Sequence, residues 1–248
     1  MKTSFAALAA CVCLIAGPAL AERVDLELVL AADGSGSIDD QEFQLQRAGY
    51  AAAITSPGVL AAIQSGFHGR IALAHVEWGG PGSQHTIVDW MVISDAASAQ
   101  AFADKLMAAP RVAQGYNSIS GAIDHAADMI RGNDIDGARL VIDISGDGPQ
   151  IGGRPLPISR AEALADGITI NALVIKSPGG GYPGPGGMPL DAHYDRDVIG
   201  GQGAFVMVAE SRAHFAEAIL TKMIEEIADE RPTGLPKTKL ADRRAPAD

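Results

Sequence analysis

The feature that most constrains this chain is a junction. The apolar run Val24 to Ala32 ends abruptly in Asp33-Gly34-Ser35-Gly36-Ser37, and a segment that reads as a helix starts directly after it. A strand that turns through glycines into a helix is the opening of an α/β unit. Residues of such a turn lie at the carboxyl end of the strand, where open α/β sheets place their ligands. Asp33, Ser35 and Ser37 set one carboxylate and two hydroxyls at i, i+2 and i+4 of the turn. All three can point at a single hard cation, which takes oxygen ligands and usually keeps several waters. Gly-Ser runs are also common as flexible linkers. Position argues against that reading, because a linker does not normally part a buried strand from the next helix of one domain.

The rest of the chain alternates in the same way. Strands are expected at Val24–Ala32, Arg70–Trp78, Gln84–Ile93, Arg139–Ile144, Ile168–Ile175 and Ala204–Ala209. Helices are expected from Asp39 or Asp40 to about Ser56-Pro57, at Ala96–Ala108, from Ile119 to Gly132, and from about Ser211 to Ala228. The helix at Ile119 is the clearest, with Ile119, Ala122, Ile123, Ala126, Ala127 and Ile130 recurring at helical spacing. The turn Gly79-Gly80-Pro81-Gly82 is too short for anything but an antiparallel pair. The fold class is therefore α/β and doubly wound: a mainly parallel six-stranded sheet with one antiparallel edge strand and helices on both faces. With right-handed crossovers, three oxygen-rich turns meet on one edge: Asp33/Ser35/Ser37, Asn117/Ser118 and Asp147.

The ends of the chain carry other signals. Lys2, the apolar stretch Phe5 to Ile15 and the small residues Ala19-Leu20-Ala21 have the form of a signal peptide cleaved after Ala21. Leu8-Ala9-Ala10-Cys11 also resembles a lipoprotein cleavage box, but the apolar run continues past it. Both cysteines, Cys11 and Cys13, fall in this leader, so the mature chain has neither disulfide nor thiolate chemistry. The expected organisation is a leader at 1–21, one domain at 22–230 and a polar, proline-containing tail at 231–248 that stays disordered. The export signal implies a periplasmic or secreted protein. No later segment approaches a membrane span. The net charge of −11, or −12 once Lys2 leaves with the leader, argues against nucleic acid as a partner.

A hydrophobic strand followed by Asp-x-Ser-x-Ser, here Asp33, Ser35 and Ser37, resembles the metal-ion-dependent adhesion site (MIDAS) of von Willebrand factor type A domains. The family's second element is a Thr before a helix of the form Thr-x-Ile-x-x-Ala-Leu; the stretch here reads Asn117-Ser118-Ile119-Ser120-Gly121-Ala122-Ile123. Its third is an Asp in Thr-Asp-Gly after the fourth strand; here Ser145-Gly146-Asp147-Gly148 has one extra glycine. The segments Val141–Pro149 and Tyr194–Phe205 are similar to a branch of exported Gram-negative proteins in that superfamily known as a domain of unknown function. The resemblance implies a Mg²⁺ site, with Mn²⁺ or Ca²⁺ as alternatives. Ser35 and Ser37 would be direct ligands, and Asp33 and Asp147 would be direct or water-mediated ones. Asn117 stands where the family has Thr. Its amide oxygen can ligate a hard cation at longer reach, and Ser118 takes the role if the loop shifts by one. The same pair also suits an N-cap for the helix at Ile119.

Three functional readings follow. The first is a cation-dependent binding module that captures a carboxylate of a partner protein. The second is a metal-assisted hydrolase, which needs a general base near the site; Glu77 and the acids of the 176–203 loop are the nearby candidates. The third is a metal-free scaffold in which Asn117 marks a decayed site. The long loop Lys176–Gly203 carries Asp191, His193, Asp195 and Asp197 and reads either as a lid or second cation site or as a solvated connection. Glu77 and Trp78 are expected on the rim of the site, either in rim contact or in simple turn packing. Asp143, inside a strand, is expected to be a buried carboxylate with a partner. No zinc spacing among the histidines, no Gly-x-Ser-x-Gly elbow and no phosphate loop is present.

Overall fold

The computed structural model describes residues 21–176, 182–211 and 214–228. The expected leader, apart from Ala21, and the expected tail at 231–248 lie outside the described residues. In chain order the elements are β1 (Glu22–Val24), β2 (Leu26–Asp33), α1 (Asp40–Ile54), α2 (Pro57–Ser65), β3 (Ile71–Trp78), β4 (Gln84–Ile93), α3 (Ala96–Ala108) and α4 (Ile119–Arg131). Then follow β5 (Ile135–Gly137), β6 (Leu140–Gly146), α5 (Leu156–Ala165), β7 (Thr169–Ile175), the short α6 (Leu190–His193), β8 (Val206–Ala209) and α7 (Phe215–Ala228).

Six strands form one sheet in the order β4-β3-β2-β6-β7-β8, in which only the β3–β4 pair is antiparallel. This is the expected doubly wound architecture. β2 sits at its centre and is buried along its whole length. Its side chains alternate between two cores. Leu26, Leu28, Leu30 and Ala32 face α1, α2, α3 and α7, whereas Val29 and Ala31 face α4 and α5. An apolar strand with no polar face is what a parallel sheet covered on both sides requires.

Several boundaries differ from the sequence reading, each for a local reason. The first strand is broken at Asp25, whose carboxylate accepts the amides of His68 (2.8 Å) and Arg70 (3.3 Å). The piece before it, β1, pairs instead with β5 in a separate two-stranded ladder. The first helix starts as expected, with Asp39 and Glu42 forming a capping box. It stops at Ile54, and Ser56 caps a new helix with Pro57 at its first position, where the missing N–H costs nothing. Helix α5 has no side-chain cap and follows Pro155, which leaves little start signal in sequence. The 176–203 loop is partly helical: α6 runs directly into a π-helical turn, Tyr194–Val198.

Asp143 has the partner its burial demands. Lys222 of α7, fully buried, lies 2.6 Å from Asp143 and also pairs with Glu226 one turn on. Asn171 donates to Glu226 at 2.9 Å. Burial, reinforced by the nearby Glu226 charge, pushes the Asp143 carboxyl up to about 7 even with the Lys222 ammonium beside it. A lone cation between two acids makes Lys222 critical. Lys222→Met should lower stability by about 3–5 kcal/mol in urea unfolding, because it strands Asp143 and Glu226 without a counter-charge.

Candidate metal centre

The carboxyl ends of β2 and β6 lie side by side, with Ala32 in register with Ser145. That pairing brings the turn after Asp33 against the turn holding Asp147. Ser37 donates from Oγ to Asp147 Oδ1 at 3.0 Å, and the Ser35 and Ser37 hydroxyls are 3.0 Å apart. The Ser35 amide donates to Asp33 Oδ1 at 2.8 Å. Asp33, Ser35, Ser37 and Asp147 therefore form one contiguous oxygen cluster.

The cluster is electrostatically incomplete. Asp33 is fully buried, and its Oδ2 has no hydrogen-bond partner. Burial, then the repulsion of Asp147, pushes the Asp33 carboxyl up to about 7. Burial also raises Asp147, against the hydrogen bond from Ser37. Among the described residues no Lys or Arg pairs with either acid. Two buried carboxylates and two hydroxyls, with an orphaned oxygen among them, are a donor set for a hard divalent cation. A residue cluster of the His, Cys, Asp and Glu type is absent among the described residues; the hydroxyls make this site one of a different composition.

The third turn also arrives where the sequence places it. The loop after α3 is stitched by backbone bonds to the Asp33 turn, Gly36 N to Gly115 O (2.9 Å), to the β3–β4 hairpin, Gly80 N to Gln114 O (2.8 Å) and Ser118 N to Gly79 O (2.8 Å), and to the segment after Asp147, Ile151 N to Asn117 O (2.9 Å). These approaches need bare glycine. A Cβ on Gly79 would lie 2.2 Å from the Gln114 carbonyl oxygen. Within this loop the two roles open at Asn117/Ser118 are divided. Ser118 caps α4, accepting from the Gly121 amide at 3.3 Å. Asn117 is buried and lays its amide against Gly148, where a Cβ would be 2.4 Å from Nδ2. Among the described residues no hydrogen bond joins its side chain to the other four candidates, and its amide abuts the Asp147 turn.

Some residues that shape the site were not singled out from sequence. Arg111 clasps the cation turn from outside: its Nη2 donates to the carbonyls of Gly34 (3.3 Å), Ser35 (3.1 Å) and Ile38 (2.7 Å), and its Nη1 to Asp40 (2.8 Å). Phe43 is the platform under it, with the Arg111 and Arg47 guanidinium carbons 4.7 and 4.4 Å from the ring centroid. Gln150 ties the Asp147 loop to α4 through Ser120. Tyr194, from the π-helical turn, is fully buried beneath the site and donates to the Gly148 carbonyl at 2.9 Å. This explains the extra glycine. A Cβ on Gly146 would meet Tyr194 Oη at 2.7 Å and Asp33 Oδ2 at 3.3 Å. Only the Tyr194 segment of sequence carried a hint, and only as part of a family pattern.

One expectation is corrected, and one open alternative is narrowed. Glu77 and Trp78 are not at a rim. Glu77 is buried in an ion pair with Arg47 (2.7 and 3.0 Å), and the Trp78 indole donates to Ala31 O at 3.0 Å. A base candidate locked to a guanidinium is unavailable for proton transfer at the site. In the 176–203 loop, His193 bonds Asp197 at 2.7 Å, and Asp197 also pairs with Arg196. Its described residues form an acid–histidine pair, not a second cation cluster.

The architecture is that of the von Willebrand factor type A domains. The mussel byssus proximal thread matrix protein 1, solved with a zinc-occupied MIDAS motif, aligns with a TM-score of 0.63 at 14% identity over 85% of this chain and 50% of its own. The pilus adhesin SpaC of Lactobacillus rhamnosus GG aligns with a TM-score of 0.60 at 13% identity, over 83% of this chain and 31% of its own. The chain thus spans half or less of either protein. The vWF domain of the type V pili tip protein Mfa5 from Porphyromonas gingivalis gives 0.56 at 12% identity, covering 84% of this chain and 97% of that one. At such identities the likeness is one of fold. Residues 23–231 match the family described as protein of unknown function (DUF1194), and the chain belongs to that family. No curated protein matches it in sequence.

Two outcomes test this geometry. Gly146→Ala should cost about 1–3 kcal/mol by overpacking, and part of that loss should return in Gly146→Ala/Tyr194→Phe, which removes the clashing oxygen; a double-mutant cycle measures the coupling. In protein stripped of divalent cations, folding retains a proton on Asp33 that the unfolded chain releases from about pH 4 upward. Stability should therefore fall as pH rises toward about 7. Asp33→Asn should flatten that slope in thermal melts with chelator; Asp143, raised in the same direction, leaves a remainder.

Proposed function

We propose that this is an exported, divalent-cation-dependent protein-binding module that captures an acidic group of a partner. The observation that carries the reading is the oxygen cluster of Asp33, Ser35, Ser37 and Asp147, with its orphaned Asp33 oxygen and, among the described residues, no Lys or Arg paired with it. Asp33, Ser35, Ser37 and Asp147 would hold the ion, and the Asn117 amide borders it from the Asp147 side. The all-oxygen donor set suits Mg²⁺, with Mn²⁺ or Ca²⁺ as alternatives. When bound, the ion supplies a Lewis-acidic position that a partner carboxylate can complete. The protein's own groups do the rest. Asp33 and Asp147 supply the charge that retains the cation, the Ser35 amide orients Asp33, and Arg111 fixes the turn carrying both serines. The neighbouring folds include an adhesin, a pilus tip domain and a matrix protein with a zinc-occupied MIDAS, which is company that favours binding at a surface. The signal-peptide pattern supports a mature chain at 22–230 in the periplasm or outside the cell. No helix among the described residues is long and apolar enough to cross a membrane. A hydrolase would need a free base at the cluster, and Glu77 is held by Arg47.

Calorimetry with Mg²⁺ and Mn²⁺ tests the reading. One saturable site is expected in the wild type, with the signal lost in Asp33→Ala and weakened at least tenfold in Ser35→Ala, on the scale of one lost ligand. Partner capture from periplasmic extract should disappear with chelator. A wild type that takes up neither ion would sink the proposal.

A further inference from the structure

Lys222 of α7 is fully buried, and its amine meets more than its ion-pair partners. Asp143 of β6 and Asn171 of β7 stand in register, so both side chains leave the same face of the sheet, the one α7 covers. Val141 and Leu173, neighbours on that face, belong to the apolar core. The Lys222 amine also lies 5.0 Å from the centre of the Phe205 ring. Asp143, Asn171, Lys222 and Glu226 are all buried there.

The way these groups are connected is specific. Glu226 Oε1 accepts from the Lys222 amine and also from Asn171 Nδ2, the latter at 2.9 Å. An amine and a carboxamide nitrogen therefore share one carboxylate oxygen. The Asn171 carbonyl oxygen is turned the other way and accepts from the Phe205 amide at 3.1 Å. Lys222 lies 2.6 Å from Asp143. Glu226 Oε2 is buried with no hydrogen-bond partner among the described residues. An ion pair accounts for the lysine and the acids. It does not call for a carboxamide beside the amine with its carbonyl polarised by a backbone N–H.

We propose that Lys222 and Asn171 join in an intramolecular isopeptide bond that ties α7 to β7. The step balances within these side chains. The Lys222 ammonium passes one proton to Asp143, and the freed amine attacks Asn171 Cγ. The Phe205 amide stabilises the carbonyl oxygen as charge develops on it. Glu226 takes a second proton from the attacking nitrogen and hands it to the departing one, through the oxygen that both already contact. The Cγ–Nδ2 bond breaks, ammonia leaves, and the third proton stays on the new amide N–H. No oxidant, metal or outside reactant takes part. Burial, reinforced by the Glu226 charge, pushes Asp143 up to about 7, which suits it to accept the first proton near neutral pH. Holding amine and amide together in a dry site supplies the effective concentration that a free lysine and asparagine lack. Residues 22–230 contain no cysteine, so no disulfide fastens α7 to the sheet. The bond does not depend on the cation site.

Peptide mapping of the full chain by mass spectrometry tests the bond. Digestion of the folded wild type should yield a branched peptide joining the Asn171 and Lys222 segments, lighter than the two together by one ammonia. Lys222→Arg keeps the buried cation, but a guanidinium does not give up its proton to become a nucleophile. It should therefore show linear peptides at full mass and run behind the wild type in a denaturing gel, where a closed loop keeps the wild type compact. Asn171→Ala should also lose the branched peptide. In a pulse-chase time course, Glu226→Gln should form it at least about a hundredfold more slowly, the scale of a lost proton carrier. Linear peptides alone from the folded wild type overturn the proposal, whatever the variants do. Loss of ammonia without a branched peptide overturns it too, because that marks an asparagine closing on its own backbone. Bond formation in Glu226→Gln at the wild-type rate overturns the proton transfer assigned to Glu226.

Discussion

Two carboxylates, Asp33 and Asp147, are buried at the ends of neighbouring parallel strands, and among the described residues no basic side chain pairs with either. Much of the surrounding structure answers that constraint. Such a pair repels and is poorly solvated, so it holds its place only where the backbone leaves no alternative. The β2–β6 register sets the spacing, the Ser35 amide and Ser37 hydroxyl take up two of the oxygens, and Arg111 and Tyr194 brace the two turns from opposite sides. The glycines around the acids are part of the same answer. Gly79 lets the third loop close in, Gly146 makes room for Tyr194, and Gly148 makes room for Asn117.

A second polar system lies under the sheet on the α1 and α7 face. Arg47 pairs with Glu77, Tyr50 donates to Ser145 at 2.9 Å, and Lys222 sits between Asp143 and Glu226. His75 lies among them, neutral, with burial and the Arg47 charge pushing it down to about 3. Ser145 belongs to both systems by position, two residues before Asp147 on β6. The polar core and the metal centre are thus carried by the same strand, and α7 is fastened to it by a buried charge.

Much of this was legible in sequence where a pattern was local. Apolar runs broken by glycine marked the six strands, the hairpin glycines fixed the antiparallel pair, and helical spacing marked α4. The Asp33 turn and Asp147 were legible because strand direction alone puts both at one edge. What escaped depended on long-range packing. Nothing near Arg111 shows that it meets the carbonyls of Gly34, Ser35 and Ile38. Gly146 reads as an insertion until Tyr194, distant in sequence, is seen occupying its space. Glu77 looked accessible because a strand end suggests a rim; its burial follows from Arg47, contributed by another element. The split between Asn117 and Ser118 was open in sequence because capping and ligation ask for the same residue types.

The hydrogen bond from Ser37 to Asp147 joins residues 110 positions apart. A contact of that span needs β2 and β6 paired in their native register. Chains dominated by such distant pairings fold slowly. The donor set is therefore assembled only where β2 and β6 have paired. The bond is thus a local marker of the β2–β6 pairing, whatever the state of β7 and β8.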